Sequence, residues 1–553
     1  MAGQAASYYQ MPDQPHPQQG YGYGYQQPPG PRPQGYGPPP GPPQGHQQLA
    51  RPSQQQQFEY QDPAKYNQPA PTYQPPQDSK EGFDQTFKIQ KPKFHDLWAG
   101  ILFIATFLGF VAVSGLSLYR YSRYHSFNGG GVYGSQNDFS LDTNTIILFV
   151  AVLGIAFAVS WIYFLMARMF TKAFVWITGI LNCVFAVATA AYYLYLRLWG
   201  AGIVFAIFAI FAIICFISWI PRIPFAVVML QQTMDIARMP RVHVFAISLI
   251  GGVVAAAFAA WFSVTLVAIY TAYMPGNSNS TQNPSCTDAG CSSGKVIGLV
   301  VFVTFAGYWI TEWIKNTIHT SVAGVYGSWY FCAGKPGGIP KGSSWGAFKR
   351  ATTYSFGSIS LGSLIIALIN MIRQALSILR SQASQDGSIV GTIIFCILGC
   401  VVSFIQWAVE FVNKYAFCHI ALYGKGYFDA AKDTWRMIKD RGIDALVNDC
   451  LVGPVLSMGA LFVAYLCTLF SYLYLEYTKP AYNEDRTFTP VIMAFSFVIG
   501  LQVCQIFTEP IASGVNTIFV AMGWDPQVAV TDHPEFWNKL VQVYPHVQNV
   551  IHS

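Results

Sequence analysis

Charge is what this sequence has least of. Its 553 residues hold 32 Lys or Arg and 26 Asp or Glu, so 10% are charged, against the ~25% usual in soluble domains. That deficit excludes one large soluble globule. Sequence signatures of metal and nucleotide chemistry are missing as well. There is no His-Glu-x-x-His, no Cys-x-x-Cys and no Gly-x-x-x-x-Gly-Lys-Ser/Thr, so neither a bound metal, a cofactor nor ATP-driven work is expected. The nearest approach to a phosphate loop, Gly337-Gly338-Ile339-Pro340-Lys341-Gly342-Ser343, has the wrong spacing, and Pro340 removes a backbone donor. No convergent His/Asp/Glu set suggests an enzyme. No internal repeat is visible, and no soluble loop is long enough for a separate catalytic domain. No cleavable signal peptide is visible either: the first apolar run begins near residue 97, so the first helix is expected to act as an uncleaved anchor.

What fills the space is hydrophobic: 52% of residues, with a mean hydropathy of +0.33. Ten apolar stretches follow one another at 97–118, 144–166, 173–196, 200–220, 243–274, 296–317, 353–372, 389–411, 451–475 and 490–522. About 20 apolar residues at ~1.5 Å each cross a hydrocarbon core ~30 Å thick. In lipid the backbone must satisfy its own hydrogen bonds, so these stretches are helices. The expected fold is an all-α polytopic membrane protein, about ten transmembrane helices in one bundle behind a disordered tail. Residues 1–90 form that tail, 91–525 the membrane domain and 526–553 a second cytoplasmic tail.

Orientation follows from the basic residues. With the N-terminus in the cytoplasm, loops and ends on that side collect 21 Lys and Arg, and the opposite loops collect 8. The net charge of +6 is therefore spread over short loops and implies no nucleic-acid partner. The loop at 275–295 carries the sequon Asn279-Ser280-Thr281 and two cysteines, Cys286 and Cys291. It falls on the outer side, where glycosylation and a local disulfide are plausible. Of the first 80 residues, 55 are Gln, Pro, Gly or Tyr. Such a segment cannot bury enough apolar surface to order itself. Its Pro-rich stretch, Pro38 to Pro43, fits an SH3- or WW-type partner, and an unspecialised low-complexity tail is the plainer reading.

Ionisable groups at membrane depth are costly and mark candidate sites. Glu509 lies in the last run before Pro510, which is expected to break the helix and free carbonyls. Gln505 and Gln502 sit one and two turns earlier on roughly the same face. Together they could line a polar path, or the span could end near Phe507 and leave Glu509 at the interface. Glu410, with Gln406 at i−4 and Lys414 at i+4, and Glu312, in a stripe with Trp309, Asn316 and His319, lie near the expected inner helix ends. They read either as snorkelling ion pairs or as the inner mouth of a cation path. Aromatic faces attract quaternary ammonium groups; Tyr308, Trp309, Trp313, Tyr354, Phe356 and Trp407 fall close enough in sequence to contribute. Most membrane aromatics only anchor helices. The seventh stretch is the most polar, and its Ser358 and Gly362 permit close packing, or with the other Gly and Ser permit local unwinding. Residues 427–438 read as an amphipathic helix on the membrane surface or under the bundle.

Two segments carry a family resemblance. Tyr354-Ser355-Phe356-Gly357-Ser358-Ile359-Ser360-Leu361-Gly362-Ser363-Leu364-Ile365 resembles the seventh-helix signature of the choline transporter-like family. Asn413-Lys414-Tyr415-Ala416-Phe417-Cys418-His419-Ile420-Ala421-Leu422-Tyr423-Gly424-Lys425 resembles the segment after its eighth helix. The similarity runs over roughly 90–530, and the Gln/Pro/Tyr-rich tail resembles the fungal branch. It implies a ten-helix plasma-membrane carrier for choline or a related organic cation. The large cysteine-rich first outer loop of animal members is missing, since residues 119–143 hold no Cys. Two other classes fit the same helices: a non-transporting scaffold whose tail recruits partners, and a lipid-handling membrane protein.

Overall fold

A computed structural model describes residues 92–124, 143–195, 197, 199–273, 292–440, 452–479 and 489–548. Asn279, Cys286, Cys291 and the N-terminal tail lie outside the described residues. The helices run α1 (Leu97–Tyr124), α2 (Thr143–Met169), α3 (Thr171–Tyr195), α4 (Trp199–Trp219), α5 (Ile223–Ala237), α6 (Val244–Tyr273), α7 (Ser293–Cys332) and α8 (Ser343–Thr352). They continue as α9 (Phe356–Gln385), α10 (Ile389–Tyr423), α11 (Tyr427–Asp440), α12 (Val452–Thr478), α13 (Thr489–Trp524), α14 (Pro526–Asp532) and α15 (Pro534–Val543). Among the described residues, ten helical segments are long and apolar enough to cross a membrane. The chain is a multi-pass, all-helical membrane protein.

The packing centres on α7. Its 40 residues rise about 60 Å, twice a hydrocarbon core, so it leaves the lipid and continues inside protein. From His319 to Cys332 every residue is buried. The hydropathy falls there, with Asn316, His319, Thr320, Ser321 and Ser328, because the surroundings are packed helices rather than lipid. Close approach needs small partners: a Cβ at Gly514 on α13 would meet the Tyr326 ring at 2.5 Å. Tyr163 of α2 presses on Gly459 of α12 in the same way and donates to the Val455 carbonyl at 3.2 Å. At the periphery α4 and the first half of α10 turn Ile207, Phe211, Ile214, Ile393 and Ile397 outward, the pattern of lipid-facing helices.

Pro510 does not break α13, which runs unbroken through it. A helical proline leaves the carbonyl four residues back without a donor. That carbonyl is Ile506, and Ser248 Oγ of α6 donates to it at 2.6 Å. The break expected from the sequence is thus repaired by a neighbouring helix, a known way of tolerating proline in membranes.

Residues 526–548, read from the sequence as a tail, fold back onto the bundle. Tyr330 OH donates to the Asp525 carbonyl at 2.9 Å, and Tyr423 OH donates to Asp525 Oδ2 at 2.8 Å. His533 stacks on Trp329 with centroids 4.1 Å apart, and its Nε2 donates to the Tyr330 carbonyl at 2.9 Å. The amphipathic stretch is α11. Tyr427, Ala430, Thr434 and Met437 form its buried face, while Phe428 and Trp435 point away.

Two predictions follow from these joints. Ser248→Ala should cost about 1 kcal/mol of unfolding free energy in detergent. In a Pro510→Ala background, which restores the backbone donor, the same change should cost close to nothing; equal costs in both would reject the repair. Burial holds the His533 imidazole below its ordinary value, so the folded tail binds it neutral while the unfolded tail takes up a proton near pH ~6.5. Stability from this contact is complete above that pH and is lost as pH falls through it. Hydrogen-exchange protection of α15 should therefore drop on acidification, and His533→Gln should flatten that dependence.

Candidate functional site

A cavity of about 310 Å³ opens between α7, α10, the start of α12 and α13. Three helices supply it at helical spacing. Glu312, Asn316 and His319 come from α7, Glu410, Asn413 and Phe417 from α10, and Glu509, Asn516 and Phe519 from α13. Steps of three, four and seven residues put each set on one helical face. Lys315, Lys414 and Tyr415 complete the polar and aromatic wall. The cavity therefore lies towards the end of the bundle at which α12 begins and α7, α10 and α13 finish.

His319 is buried, 5% exposed. Its Nδ1 is 3.1 Å from Glu509 Oε1 and its Nε2 is 2.8 Å from the Lys414 carbonyl. A carbonyl only accepts, so Nε2 carries a hydrogen. An ionised Glu509 also only accepts, and then Nδ1 carries one too. The pair consequently holds one proton between ring and carboxylate, whichever atom bears it. The backbone around it is pinned, since Ser513 Oγ donates to the His319 carbonyl at 3.1 Å.

The other charges are tied less tightly. Lys315 lies 3.6 Å from Glu312. The Lys414 ammonium stands over the Phe411 and Tyr415 rings at 4.7 and 4.9 Å. Glu410 accepts from Gln406 at 2.9 Å, and Gln406 accepts from Arg373 at 3.2 Å. Asn316 donates to Ser363 Oγ at 2.9 Å. Tyr427 OH donates to Asn413 Oδ1, and burial pushes this phenol up to about 12, so it remains a donor at ordinary pH.

Of the residues singled out in the sequence, Glu312, Glu410 and Glu509 meet in this cavity, with Asn316 and His319 of the Glu312 stripe and Lys414; the others do not. Gln502 and Gln505 are exposed on α13 beyond it. Trp309 is buried with its Nε1 donating to the Ser360 carbonyl at 2.9 Å. Trp407 is 61% exposed beside Phe404 and Phe411. Tyr354 packs on Phe94, and Phe356 packs on Phe103 and Trp313. Ser358 Oγ donates to Asp96 Oδ2 at 2.7 Å, and the amide that opens α11, Tyr427 N, donates to the same oxygen at 2.8 Å. The polar start of the seventh span is therefore a staple between α1, α9 and α11. It is helical from Phe356 onward, not unwound, with Gly362 against the Phe417 and Tyr427 rings.

The residues that sequence reasoning passed over are Asn413, Asn516, Tyr415, Phe417 and Phe519. Asn316 and His319 were legible only as members of the Glu312 stripe, without their partners on other helices. Asn413, Tyr415 and Phe417 were present in the second family-like segment without a reason to single them out.

The comparisons with known proteins bear on the same helices. A family model described as plasma-membrane choline transporter matches residues 203–527. The chain is 58% identical over 490 residues to "Protein pns1" of Aspergillus fumigatus, covering 89% of this chain and 90% of the relative. It is 42% identical over 502 residues to "Protein PNS1" of Candida albicans, covering 90% and 93%. With "Protein PNS1" of Saccharomyces cerevisiae it shares 40% over 470 residues, covering 84% and 87%.

Because the His319–Glu509 pair shares one proton, the two residues should act as a unit. His319→Gln and Glu509→Gln are each expected to cost about 2 kcal/mol of stability, the scale of a lost charge-assisted bond. The double variant should cost much less than the sum. Additive losses in thermal or denaturant unfolding would show that the contact is not formed.

Proposed function

This chain belongs to the plasma-membrane choline transporter family, and on that premise we propose that it carries choline, or an organic cation of similar size, across the membrane. The family makes it a protein of membrane transport; the cavity supports the cation. A quaternary ammonium has no N–H to donate, so it is held by negative field and aromatic faces rather than by hydrogen bonds. The 310 Å³ cavity offers both. The His319–Glu509 pair is neutral as a whole and Lys315 offsets Glu312, so Glu410, bound by the neutral Gln406, is the carboxylate left to face a cation. The Lys414 ammonium is drawn onto rings, and Tyr415, Phe417 and Phe519 supply faces. Asn316, Asn413 and Asn516 can receive a hydroxyl group. The observation that carries the proposal is the convergence of Glu312, Glu410 and Glu509 from three separate helices on one cavity of about 310 Å³.

In this reading the protein is a secondary carrier. Its termini lie in the cytoplasm, as the excess of basic residues on that side supports, so the cavity faces inward. Alternating access then requires α7, α10 and α13 to re-pack around the site. The His319–Glu509 pair is the titratable group positioned to exchange a proton with the substrate's charge. Glu509 is the critical acid because it alone is bound to a buried partner; Glu410 is exposed.

Purified protein in proteoliposomes should take up labelled choline saturably, above empty liposomes. Glu509→Gln should lower that flux about tenfold, the effect of ~1.4 kcal/mol. Glu312→Gln and Glu410→Gln should lower it less, and a pH gradient should change flux in the unsubstituted protein but not in Glu509→Gln. Full activity in all three variants at equal reconstitution would defeat the carboxylate path. Absence of uptake by folded protein would defeat choline as substrate.

A further inference from the structure

The same turns of α7 that line the polar cavity present their other face to a second, larger one. Trp313, Ile314, Thr317 and Ile318 form one wall, α6 gives Ile247, Ile250 and Val254, and α8 gives Trp345 and Phe348. Its volume is about 630 Å³. The walls at membrane depth are apolar.

 Ile250 is 65% exposed and Val254 50%, so the groove is open sideways to the bilayer.

One end of the groove is basic. Arg241 and Lys341 line it with His243, and no Asp or Glu does. The glycine-rich loop that fails as a nucleotide loop builds this end. Arg241 Nη1 donates to the Ile339 carbonyl at 2.8 Å, Ser343 Oγ donates to the Arg241 carbonyl at 3.1 Å, and His243 N donates to Ser344 Oγ at 3.0 Å. Arg241 is held at φ +82°, a left-handed conformation that a non-glycine residue adopts only when its surroundings impose it. Among the described residues neither Arg241 nor Lys341 has a carboxylate partner. Deeper in, Thr317 is 5% exposed, yet its Oγ1 has no hydrogen-bond partner, and neither does Trp313 Nε1 one turn further along. Buried donors left open in this way call for an acceptor.

We propose that this groove binds one anionic glycerophospholipid, with its phosphate at Arg241 and Lys341, its ester carbonyls at Thr317 Oγ1 and Trp313 Nε1, and an acyl chain along α6 and α7. Each part of the groove matches a part of that molecule in order of depth: charge at the rim, two donors below it, hydrocarbon beyond. A free phosphate would leave the donors and the apolar walls unused, and a zwitterionic lipid would leave the basic rim uncompensated. The proposal does not depend on the transported substrate. It does place a lipid on the back of the α7 turns whose front carries Glu312, Asn316 and His319.

The test is native mass spectrometry of the full chain in mild detergent, titrated with palmitoyl-oleoyl phosphatidylserine or phosphatidylcholine. One phosphatidylserine should be retained in preference to phosphatidylcholine. R241Q/K341Q should reduce that preference about 30-fold, since each basic residue near a lipid surface contributes roughly fivefold. Thr317→Val keeps the side-chain shape, and should weaken lipid binding about fivefold while leaving the lipid-free protein at least as heat-stable as the unsubstituted one. That combination is not expected of a residue with a purely structural role. Equal retention of both lipids, an unchanged preference in R241Q/K341Q, or displacement of the lipid by inorganic phosphate alone would each overturn the proposal.

Discussion

A polar group inside a membrane protein has no water to fall back on, and the need to partner each one governs this structure. Pro510 leaves the Ile506 carbonyl without its helical donor, and a serine from another helix supplies one. The buried imidazole of His319 finds an oxygen for each nitrogen. The first amide of α11 finds a carboxylate that also receives Ser358. Each of these contacts joins helices distant in sequence, so meeting the needs of individual groups also fixes the arrangement of the bundle. Apolar packing against lipid offers less discrimination, because lipid tails are as apolar as leucine.

The long helix α7 shows how one element serves two environments. Around residues 312–319 its polar face borders the carboxylate cavity and its apolar face borders the lateral groove. Beyond His319 it is enclosed by protein, held by Tyr326 against Gly514 and by the folded C-terminal helices. A rigid rod anchored at one end transmits small displacements along its length. Whatever re-packs the polar cavity therefore also moves the wall of the groove behind it.

The ten spans were legible because length and apolar composition are properties of a segment alone. The extension of α7 to Cys332 was not. Its second half is polar by composition and becomes helical core only through neighbours that a local reading cannot see. The folding of residues 526–548 escaped for the same reason, its order coming from Trp329, Tyr330 and Tyr423. In the site, Glu312, Glu410 and Glu509 stood out because an ionisable group in an apolar run is costly. His319 and the asparagines drew less notice, since their meaning lies in partners on other helices. The seventh-span serines were conspicuous in sequence, yet Ser358 turned out to join a staple and Ser360 to present its carbonyl to Trp309.

That staple has a consequence for how the molecule is made. Asp96, immediately before α1, is bound to Ser358, 262 residues later, and to Tyr427, 331 residues later. At a synthesis rate of roughly 5–20 residues per second, the second partner emerges about 15–65 seconds after the first helix. Until Ser358 is made α1 sits in the membrane with its anchoring carboxylate unengaged, and until Tyr427 follows the staple is half formed. The first helix to be inserted is thus among the last to be locked, and the bundle closes on its own beginning only when translation is mostly complete.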